Sequence, residues 1–383
     1  MTRFVPLSDI IRRAPKVKAD TNLAVYSVTK HSGFVRSDAY FKKQVYSKDL
    51  TTYKTVLPGQ MAYATIHLDE GSIGEAPERC LISPMYTVFE HDRDIADGRY
   101  LLRFLKAPQT LEKYASIGTG SAERRRSISL EALGKIEFPL LPLPEQRRIA
   151  AMLDQTDAIR NNRRKSLSYL NQLLDSRFDT AFEQSSWPIS SLGSVASIQG
   201  GITANKTRES HPLKVDYLRV ANVSRGTVDL SEVKKIGVSA AEFERTRLQI
   251  GDILVVEGHG NISELGRAAR WADQSRPISH QNHLIRVRAI PGVVRPEFLE
   301  RYLNSRSARA YFRSVSKTTS GLNTINMSNV KALPVIVPPL AQQDEFVGIL
   351  LSAERAGNAQ CRHLQKLDEL FAALQRHAFD GSL

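Results

Sequence analysis

The segment Leu143–Phe182 constrains the fold of this chain most, because beyond Pro144 it contains neither glycine nor proline. Leucine and phenylalanine recur in it at three- and four-residue steps or their multiples, with charged residues between them. This pattern predicts one long amphipathic helix, and Pro144 suits its first turn, where a missing N–H costs nothing. At about 1.5 Å per residue the helix extends roughly 55–60 Å. Its apolar stripe therefore needs a partner of similar length.

That partner lies in the same chain. The segment PLAQQDEFVGIL, which begins at Pro339, repeats PLPEQRRIAAML, which begins at Pro142. The offset, 339 minus 142 or 197 residues, holds without a gap to the end of the chain, and it pairs Gln146 with Gln343 and Leu153 with Leu350. The chain is therefore a tandem duplication, and internal repeats of this kind decide the architecture.

The duplication divides the chain into four blocks. The predicted blocks are a mixed segment at residues 1–141, a long helix at 142–185, a second mixed segment at 186–337 and a second long helix at 338–383. The mixed segments repeat more faintly, with an offset of 192 that pairs Gly59 with Gly251 and His67 with His259. Loops that differ between two such copies are expected where a scaffold is kept and its contact surface varies.

The second mixed segment has the clearer secondary-structure pattern. β-branched runs and helical spacing predict strands at Tyr217–Val223, Asp252–Gly258 and His283–Ile290, the last with one polar face, a helix at Pro296–Val315 and an extended lead at Val330–Leu340. The first copy has a similar order and ends in a helix across Gly98–Ile117. Each mixed segment is therefore predicted to be a compact α/β unit with a small, twisted, mixed sheet.

The charge of the chain favours a polyanionic partner. Its 53 lysines and arginines exceed its 40 aspartates and glutamates, a formal charge of +13, and such a balance is typical of nucleic-acid binding. A basic protein without such a partner is the alternative. Cys80 and Cys361 lie far apart, which suits a reducing compartment. Because the chain has neither a signal-peptide pattern nor a run of about twenty apolar residues, we expect a cytoplasmic protein.

No catalytic constellation is evident. The sequence has no Asn-Pro dipeptide of the amino-methyltransferase type, no Pro-Asp dipeptide and no GxxxxGK[ST] loop. His280 and His283 come nearest to a metal pair, but a spacing of three on an apparent strand puts them on opposite faces. Gly258 and Gly260 are better explained by a tight turn than by a phosphate-binding loop. We therefore expect no catalytic, cofactor or metal site.

Basic and amide residues predict contact with DNA. Lysine and arginine would mostly hold phosphates, while asparagine can read adenine edges as arginine reads guanine. Each residue alone is better explained as an ordinary surface group, so only the aggregate counts. The candidates are Lys30, Lys42, Lys43, Arg124, Arg125, Arg126, Asn222, Arg225, Lys234, Lys235, His259, Asn261, Arg267 and Asn323. The pairs Lys42–Lys43 and Lys234–Lys235 and the cluster Arg124–Arg126 are predicted to lie in loops.

Over essentially its whole length the chain resembles the specificity subunits of type I restriction–modification enzymes. The segments that carry the resemblance are LPEQRRIA, PLAQQDEFVGIL, GDILVVEGHGNISELGRAARW and SGLNTINMSNVKALPVIVPPL. The resemblance implies an α/β (α+β) fold class, with two pseudo-repeated target-recognition domains and two long helices that pair as an antiparallel coiled-coil spacer. Each domain would read half of a bipartite, asymmetric target in double-stranded DNA.

The resemblance also implies partners. The helices would dock two methyltransferase (M) subunits, and motor–nuclease (R) subunits would join the complex. S-adenosylmethionine would belong to the methyltransferase subunits, and ATP and Mg²⁺ to the motor–nuclease subunits. This subunit would hold no cofactor and would not be an enzyme by itself.

Alternatives to this interpretation stay open. A non-catalytic coiled-coil scaffold of another nucleic-acid-processing complex would explain the helices but not the charge, and an enzyme would need a reaction centre that the sequence lacks. The helices could also form an intramolecular coiled coil without a docking role. Steep salt dependence of binding separates a DNA reader from a scaffold. A helix of roughly 55–60 Å matches about 17 base pairs, so we hypothesise that helix length sets the unread spacer. Adding one turn to both helices should lengthen that spacer and leave the half-sites unchanged.

Overall fold

The structure, a computed structural model, describes residues 2–119, 127–183, 186–273, 275–319 and 321–381. The chain forms two compact units. Unit 1 comprises Met1–Arg164 and Cys361–Leu383, and unit 2 comprises Lys165–Gln360. Both long helices therefore contribute residues to both units.

Unit 1 is built from short strands and short helices before the first long helix. Its strands are β1 (Arg3–Pro6), β2 (Ile11–Arg13), β3 (Val25–Thr29), β4 (Gly33–Arg36), β5 (Lys54–Val56), β6 (Met61–Ala64), β7 (Ile73–Glu75), β8 (Cys80–Ile82), β9 (Tyr86–His91) and β10 (Glu137–Leu140). Its short helices are α1 (Ser37–Tyr40), α2 (Gly98–Leu105), α3 (Pro108–Ile117) and α4 (Leu130–Leu133). The strands form sheets in the orders β2-β9-β6-β7, β4-β3-β8-β5 and β1-β10.

The first long helix, α5, spans Leu143–Phe178 and continues as a wider π-helical turn over Asp179–Glu183. Unit 2 follows with the strands β11 (Ile189–Ser191), β12 (Ala196–Gly200), β13 (Leu213–Leu218), β14 (Val223–Ser224), β15 (Thr227–Val228), β16 (Lys234–Val238), β17 (Ile253–Val256), β18 (Gly258–His259), β19 (Ala268–Arg270), β20 (Ile278–His280), β21 (Leu284–Ala289), β22 (Lys317–Thr319), β23 (Leu322–Thr324) and β24 (Pro334–Ile336). Its helices are α6 (Leu192–Val195), α7 (Ala240–Thr246), α8 (Pro296–Leu303), α9 (Arg306–Val315), α10 (Met327–Ala332) and the long α11 (Leu340–Phe379).

The sheets of unit 2 repeat the plan of unit 1. The order β12-β21-β17-β19 corresponds to β2-β9-β6-β7, the order β16-β13-β20 to β4-β3-β8, and the pair β11-β24 to β1-β10. The parallel pair is kept as well, between β3 and β8 in unit 1 and between β13 and β20 in unit 2. Gly59 and Gly251 precede equivalent strands with φ of +82° and +87°, a left-handed backbone that favours glycine. The duplication predicted from the sequence is thus a duplication of fold.

The core of each unit joins a sheet to the long helices. In unit 1, Phe104 of α2 packs edge-on against Phe138, with ring centroids 5.2 Å apart, and against Phe379 of α11 at 5.6 Å. In unit 2, Phe178 of α5 packs against Phe298 of α8 at 5.4 Å and against Phe346 of α11 at 5.3 Å. These aromatic contacts are why each helix carries its apolar stripe.

The two long helices run antiparallel in unit 2. Phe178, near the end of α5, contacts Phe346 near the start of α11, and the earlier residue Leu170 lies beside the later Gly357. In unit 1, Arg160 of α5 donates to Asp368 of α11 at 2.5 Å. The fold class predicted from the sequence, two small-sheet α/β units with two long helices, is confirmed.

Several predicted element boundaries are wrong, and turn chemistry explains them. The helix predicted at Pro296–Val315 is two helices, because the Ser305 hydroxyl accepts from Ala308 N and starts α9. The helix predicted across Gly98–Ile117 is likewise two, because Pro108 suits a first turn and not a helix interior. The predicted strand Tyr217–Val223 ends as β13 at Leu218 and passes into a 3₁₀ turn at Val220–Asn222.

Two further predictions from the sequence are wrong, one because a strand is buried on both faces and one because a capped helix forms where an extended segment was expected. The strand predicted at His283–Ile290 was expected to have one polar face, but Arg286 in β21 is only 5% exposed. Its guanidinium donates to the Gln199 side chain and to the Arg245 carbonyl. The extended lead predicted at Val330–Leu340 overlaps α10, a helix capped by the Asn326 side chain, and only Pro334–Ile336 is a strand.

Candidate nucleic-acid interface

The candidate lysines of unit 1 are exposed. Lys30 lies in the turn between β3 and β4, and Lys42 and Lys43 follow α1 in a segment without regular secondary structure. No described residue forms a salt bridge with these three. The same segment exposes Tyr40 by 52% and Val45 by 55%. Free cations beside exposed apolar groups are suited to contact a nucleic-acid backbone and sugar.

The predicted cluster Arg124–Arg126 lies outside the described residues. The residues on either side of this part of the chain form an antiparallel bridge. Thr119 N donates to Ser127 O at 3.0 Å, and Ser127 N donates to Thr119 O at 2.8 Å.

In unit 2, Lys234 and Lys235 lie on β16 and not in the predicted loop. This strand forms an edge of the sheet β16-β13-β20, and both side chains are exposed. Lysine on an edge strand also discourages pairing with another chain. The position therefore suits a phosphate contact and an ordinary protective role equally well.

The structure brings the candidates His259, Asn261 and Asn323 together. Asn323 of β23 is 9% exposed, and its Nδ2 donates to the carbonyls of His259 and Gly260 at 3.2 Å. Its Oδ1 accepts from the Thr318 hydroxyl at 2.8 Å. Asn323 therefore positions the turn, with both its amide nitrogen and its amide oxygen hydrogen-bonded within the protein.

The turn itself presents two polar side chains outward. His259 Nδ1 accepts from Asn261 N at 3.0 Å, and the Asn261 carboxamide oxygen accepts from Ser263 N at 3.0 Å. These bonds leave His259 Nε2 and Asn261 Nδ2 without a protein partner among the described residues. The exposed turn Gly258–Glu264 can therefore offer polar groups to a ligand on a fixed backbone.

Three candidates have internal positions instead. Asn222 is 3% exposed, accepts from Arg219 N at 2.9 Å and donates to the carbonyls of Asp229 and Glu232 at 2.9 and 2.8 Å. The structure thus gives Asn222 a structural role, because its amide is saturated by backbone groups.

Arg225 and Arg267 also point inward. Arg225 donates to Asn304 Oδ1 at 3.1 Å and to the Ser263 carbonyl at 3.0 Å. Burial lowers the pKa of this guanidinium below its usual range. Arg267 is 13% exposed, pairs with Glu264 at 3.5 Å and donates to the Val220 carbonyl at 3.1 Å. Both arginines cross-link the loops of unit 2 in this structure. The partners Asn304 and Val220 could not be predicted from the sequence, because they lie far along the chain.

A cleft in unit 2 with polar and apolar walls was not predicted from the sequence. It has a volume of about 410 Å³, and its polar lining comes from Glu257, His283, Lys317, Thr324, Asn326 and Asn329. His283 Nδ1 lies 3.0 Å from Glu257 Oε2. The amide-rich segment Asn323–Asn329 was visible in the sequence, but the pairing of Glu257 with His283 was not.

The two candidate metal-pair histidines do not converge. His280 is fully buried, and burial lowers its pKa to about 4, so the ring is neutral. Its Nδ1 faces the Thr246 carbonyl at 3.1 Å. His283 is instead exposed at the cleft. Across the described ranges, no cluster of three or more histidine, cysteine, aspartate or glutamate residues has the arrangement of a metal site.

Residues 184–366 match the family model described as the type I restriction modification DNA specificity domain. The chain is 25% identical over 337 residues to the EcoKI specificity subunit of Escherichia coli K12. This alignment covers 80% of this chain and 70% of that protein. It is 24% identical over 305 residues to the StySPI specificity subunit of Salmonella potsdam, covering 74% of this chain and 65% of that protein.

Solved structures share the fold. A chain from a study of complex assembly and conformational transition of the type I R-M system has a TM-score of 0.58 at 15% identity, covering 98% of this chain and 97% of the other. The specificity subunit of M. genitalium also gives 0.58, at 13% identity, covering 99% and 96%. The chain is thus similar to type I restriction–modification specificity subunits over most of its length.

The two units also share a backbone hydrogen bond. A hydrogen bond from Ile128 N to the Thr65 carbonyl in unit 1, 2.9 Å long, recurs in unit 2 from Ile325 N to the Glu257 carbonyl at 2.9 Å. The two units thus hold equivalent backbone positions with different side chains. None of the helices within the described ranges has the length and apolarity that crossing a membrane requires.

Proposed function

We propose that this specificity subunit reads a bipartite, asymmetric target in double-stranded DNA, with one half-site read by each α/β unit. We also propose that its helices dock two methyltransferase subunits, and that motor–nuclease subunits complete the complex in the cytoplasm. S-adenosylmethionine would be held by the methyltransferase subunits, and ATP and Mg²⁺ by the motor–nuclease subunits, with no cofactor in this chain.

The proposal of two unlike half-sites is supported by one observation. The two units have equivalent strand pairing but differ in the segments that connect the strands. Met61 pairs with Phe89 in unit 1 as Ile253 pairs with Val287 in unit 2. Among the described residues, the strand pair β14-β15 of unit 2 has no counterpart in unit 1, and strand β5 of unit 1 has none in unit 2. A kept frame with changed loops supports two readers of different sequence, whereas identical readers would favour a palindrome.

The proposal of two docking sites rests on a repeated exposed leucine. Leu173 of α5 is 66% exposed and Leu370 of α11 is 49% exposed, although leucines nearby in the same stripes are at least half-buried. The two residues are related by the offset of 197 residues. A single exposed leucine needs no explanation, but the same exposure at both copies supports two equivalent sites for one kind of partner.

The host methylome tests the proposal directly. Deletion of the gene should remove one adenine-methylated, two-part motif from single-molecule sequencing data, and re-expression should restore it. The motif would also supply both half-sites. An unchanged methylome in a host whose methyltransferase co-purifies with this subunit would contradict the proposed function.

A further inference from the structure

The cleft of unit 2 has the chemistry of a base-edge reader. Apolar side chains, among them Val220 and Ile325, line it together with a carboxylate, an imidazole, an ammonium group and two carboxamides. Apolar surface can contact the flat or methylated parts of bases, while polar groups select among their edges.

Glu257 is held in place but keeps one free oxygen. Its N–H donates to the His283 carbonyl at 3.0 Å, and its carbonyl accepts from Ile325 N at 2.9 Å. The Oε2 atom faces His283 Nδ1 at 3.0 Å. No described residue donates to Oε1, and the side chain is 29% exposed. A carboxylate oxygen therefore faces the cleft with its orientation fixed by neighbours.

The other polar groups of the cleft are donors. Asn326 Oδ1 accepts from Asn329 N at 2.9 Å, and Asn329 Oδ1 accepts from Asn326 N at 3.0 Å. This reciprocal cap uses the amide oxygens, and within the described part of the chain neither Nδ2 group donates to another residue. Lys317 is exposed and has no salt bridge among the described residues. Glu257 Oε1 is thus an acceptor surrounded by donors.

The repeat marks the same position as variable. The hydrogen bond to the Thr65 carbonyl in unit 1 corresponds to that made to the Glu257 carbonyl in unit 2. The threonine hydroxyl turns to the Met85 carbonyl at 3.1 Å, so the equivalent site in unit 1 offers no carboxylate. By sequence offset, the hairpin β22–β23 beside Glu257 also corresponds to the part of unit 1 that contains Arg124–Arg126.

Building on the proposed function, we propose that Glu257 is a specificity-determining residue of unit 2. Its free oxygen accepts a hydrogen bond from the exocyclic amine of adenine or cytosine in the major groove. An ionised carboxylate only accepts, and guanine and thymine present oxygens at the corresponding edge. The same group therefore rejects these two bases, because two acceptor oxygens would face each other with no hydrogen between them. His283 is the positioning residue that holds the carboxylate.

The test uses the isosteric change Glu257→Gln in the complete host complex. A carboxamide can both donate and accept, so one position of one half-site in the methylome should become degenerate, with the other half-site unchanged. In competition binding with the purified complex, preference for the amine-bearing base should fall from at least about ten-fold to below about three-fold. Affinity for non-specific DNA should rise, because a negative charge is removed near phosphates.

Glu244→Gln is the matched control, since Glu244 is exposed on α7 and has no salt bridge among the described residues. It should leave every position of the motif unchanged. The same unchanged motif in the Glu257→Gln strain overturns the inference while the proposed function stands. If gene deletion itself leaves the methylome unchanged, it is the proposed function that fails.

A second experiment tests the same inference without a variant, for the case in which the Glu257→Gln protein does not assemble into the complex. The unmodified complex is titrated with duplexes in which purine replaces adenine, or 2-pyrimidinone replaces cytosine, one position at a time through the half-site of unit 2. Loss of one amine should weaken binding roughly ten-fold at a single position. Equal binding to every such duplex overturns the inference without any variant.

Discussion

Two buried glutamines show how single residues fix the repeat. Gln146 and Gln343 are fully buried. Gln146 accepts from Asp97 N at 2.9 Å and donates to the Ile95 and Leu141 carbonyls at 2.9 and 2.8 Å. Gln343 likewise accepts from Arg295 N at 2.8 Å and donates to the Val293 and Pro338 carbonyls. Gln146 therefore links the start of α5 to the residues just before α2, and Gln343 links the start of α11 to the residues just before α8.

Arg270 provides the positive charge that pairs with the buried carboxylate of Glu300 in unit 2. It contacts Glu297, Glu300 and Glu354 at 3.2, 3.2 and 3.5 Å. Burial raises the pKa of Glu300, and the Arg270 charge opposes that rise. Because burial disfavours the ionised form, removing Arg270 should leave a costly unpaired carboxylate.

We predict that Arg270→Met lowers the free energy of unfolding by about 3–5 kcal/mol at pH 7. The folded-state pKa of Glu300 then lies further above its unfolded value, so the loss shrinks as the pH falls through that pKa and the carboxyl is protonated. Urea unfolding at pH 7 and pH 5 measures both values. Arg313→Met, on the exposed side of α9, is the control and should change little. An equal loss at both pH values would contradict this account.

At the scale of elements, each long helix presents different faces along its length. Leu153 of α5 and Leu350 of α11 are buried, as the apolar stripe predicts, and they pack in units 1 and 2 respectively. Arg160 lies with its guanidinium 4.2 Å from the Phe371 ring centroid, so a cation–π contact joins the two helices of unit 1. Leu173 and Leu370 take no part in this packing and remain exposed to solvent.

We predict that Leu173→Asp and Leu370→Asp each weaken the docking of one methyltransferase subunit. Both leucines are exposed, so the change should alter stability by no more than about 0.5 kcal/mol. The mass of the purified complex should drop by one methyltransferase for either substitution and by two for the pair. The neighbouring exposed Gln172→Asp should leave the mass unchanged. Full occupancy in the double variant would show that docking uses another surface.

At the scale of the whole molecule, DNA binding depends on the net charge and on the positions of the basic side chains that are not paired within the protein. The net formal charge is +13, yet many arginines are used inside the units, such as Arg288, which pairs with the buried Asp252 at 2.6 Å. The cations left for DNA are fewer than the composition suggests. Lys42 and Lys43 are among them, because they are exposed and make no salt bridge with described residues.

We predict that replacing Lys42 and Lys43 with alanine reduces the salt dependence of target binding. Each phosphate contact contributes about one to the slope of log affinity against log salt, so the slope should fall by about two. Fluorescence anisotropy of the full complex between 50 and 200 mM salt measures it. The double change Lys113→Ala and Lys135→Ala removes the same charge from exposed positions of unit 1 without a predicted role. An equal fall in that control would mean that only net charge matters.

The sequence alone determined the architecture of this protein: two long helices, two α/β copies and their correspondence. Periodicity and duplication are properties of one dimension, so the chain displays them before it folds. The fate of individual polar residues was decided by tertiary structure. Arg225 meets Asn304 across 79 residues, and Glu257 meets His283 across 26. Whether a charge or an amide stays free for DNA depends on which distant group folds beside it, because a buried polar group must find its partner within the protein.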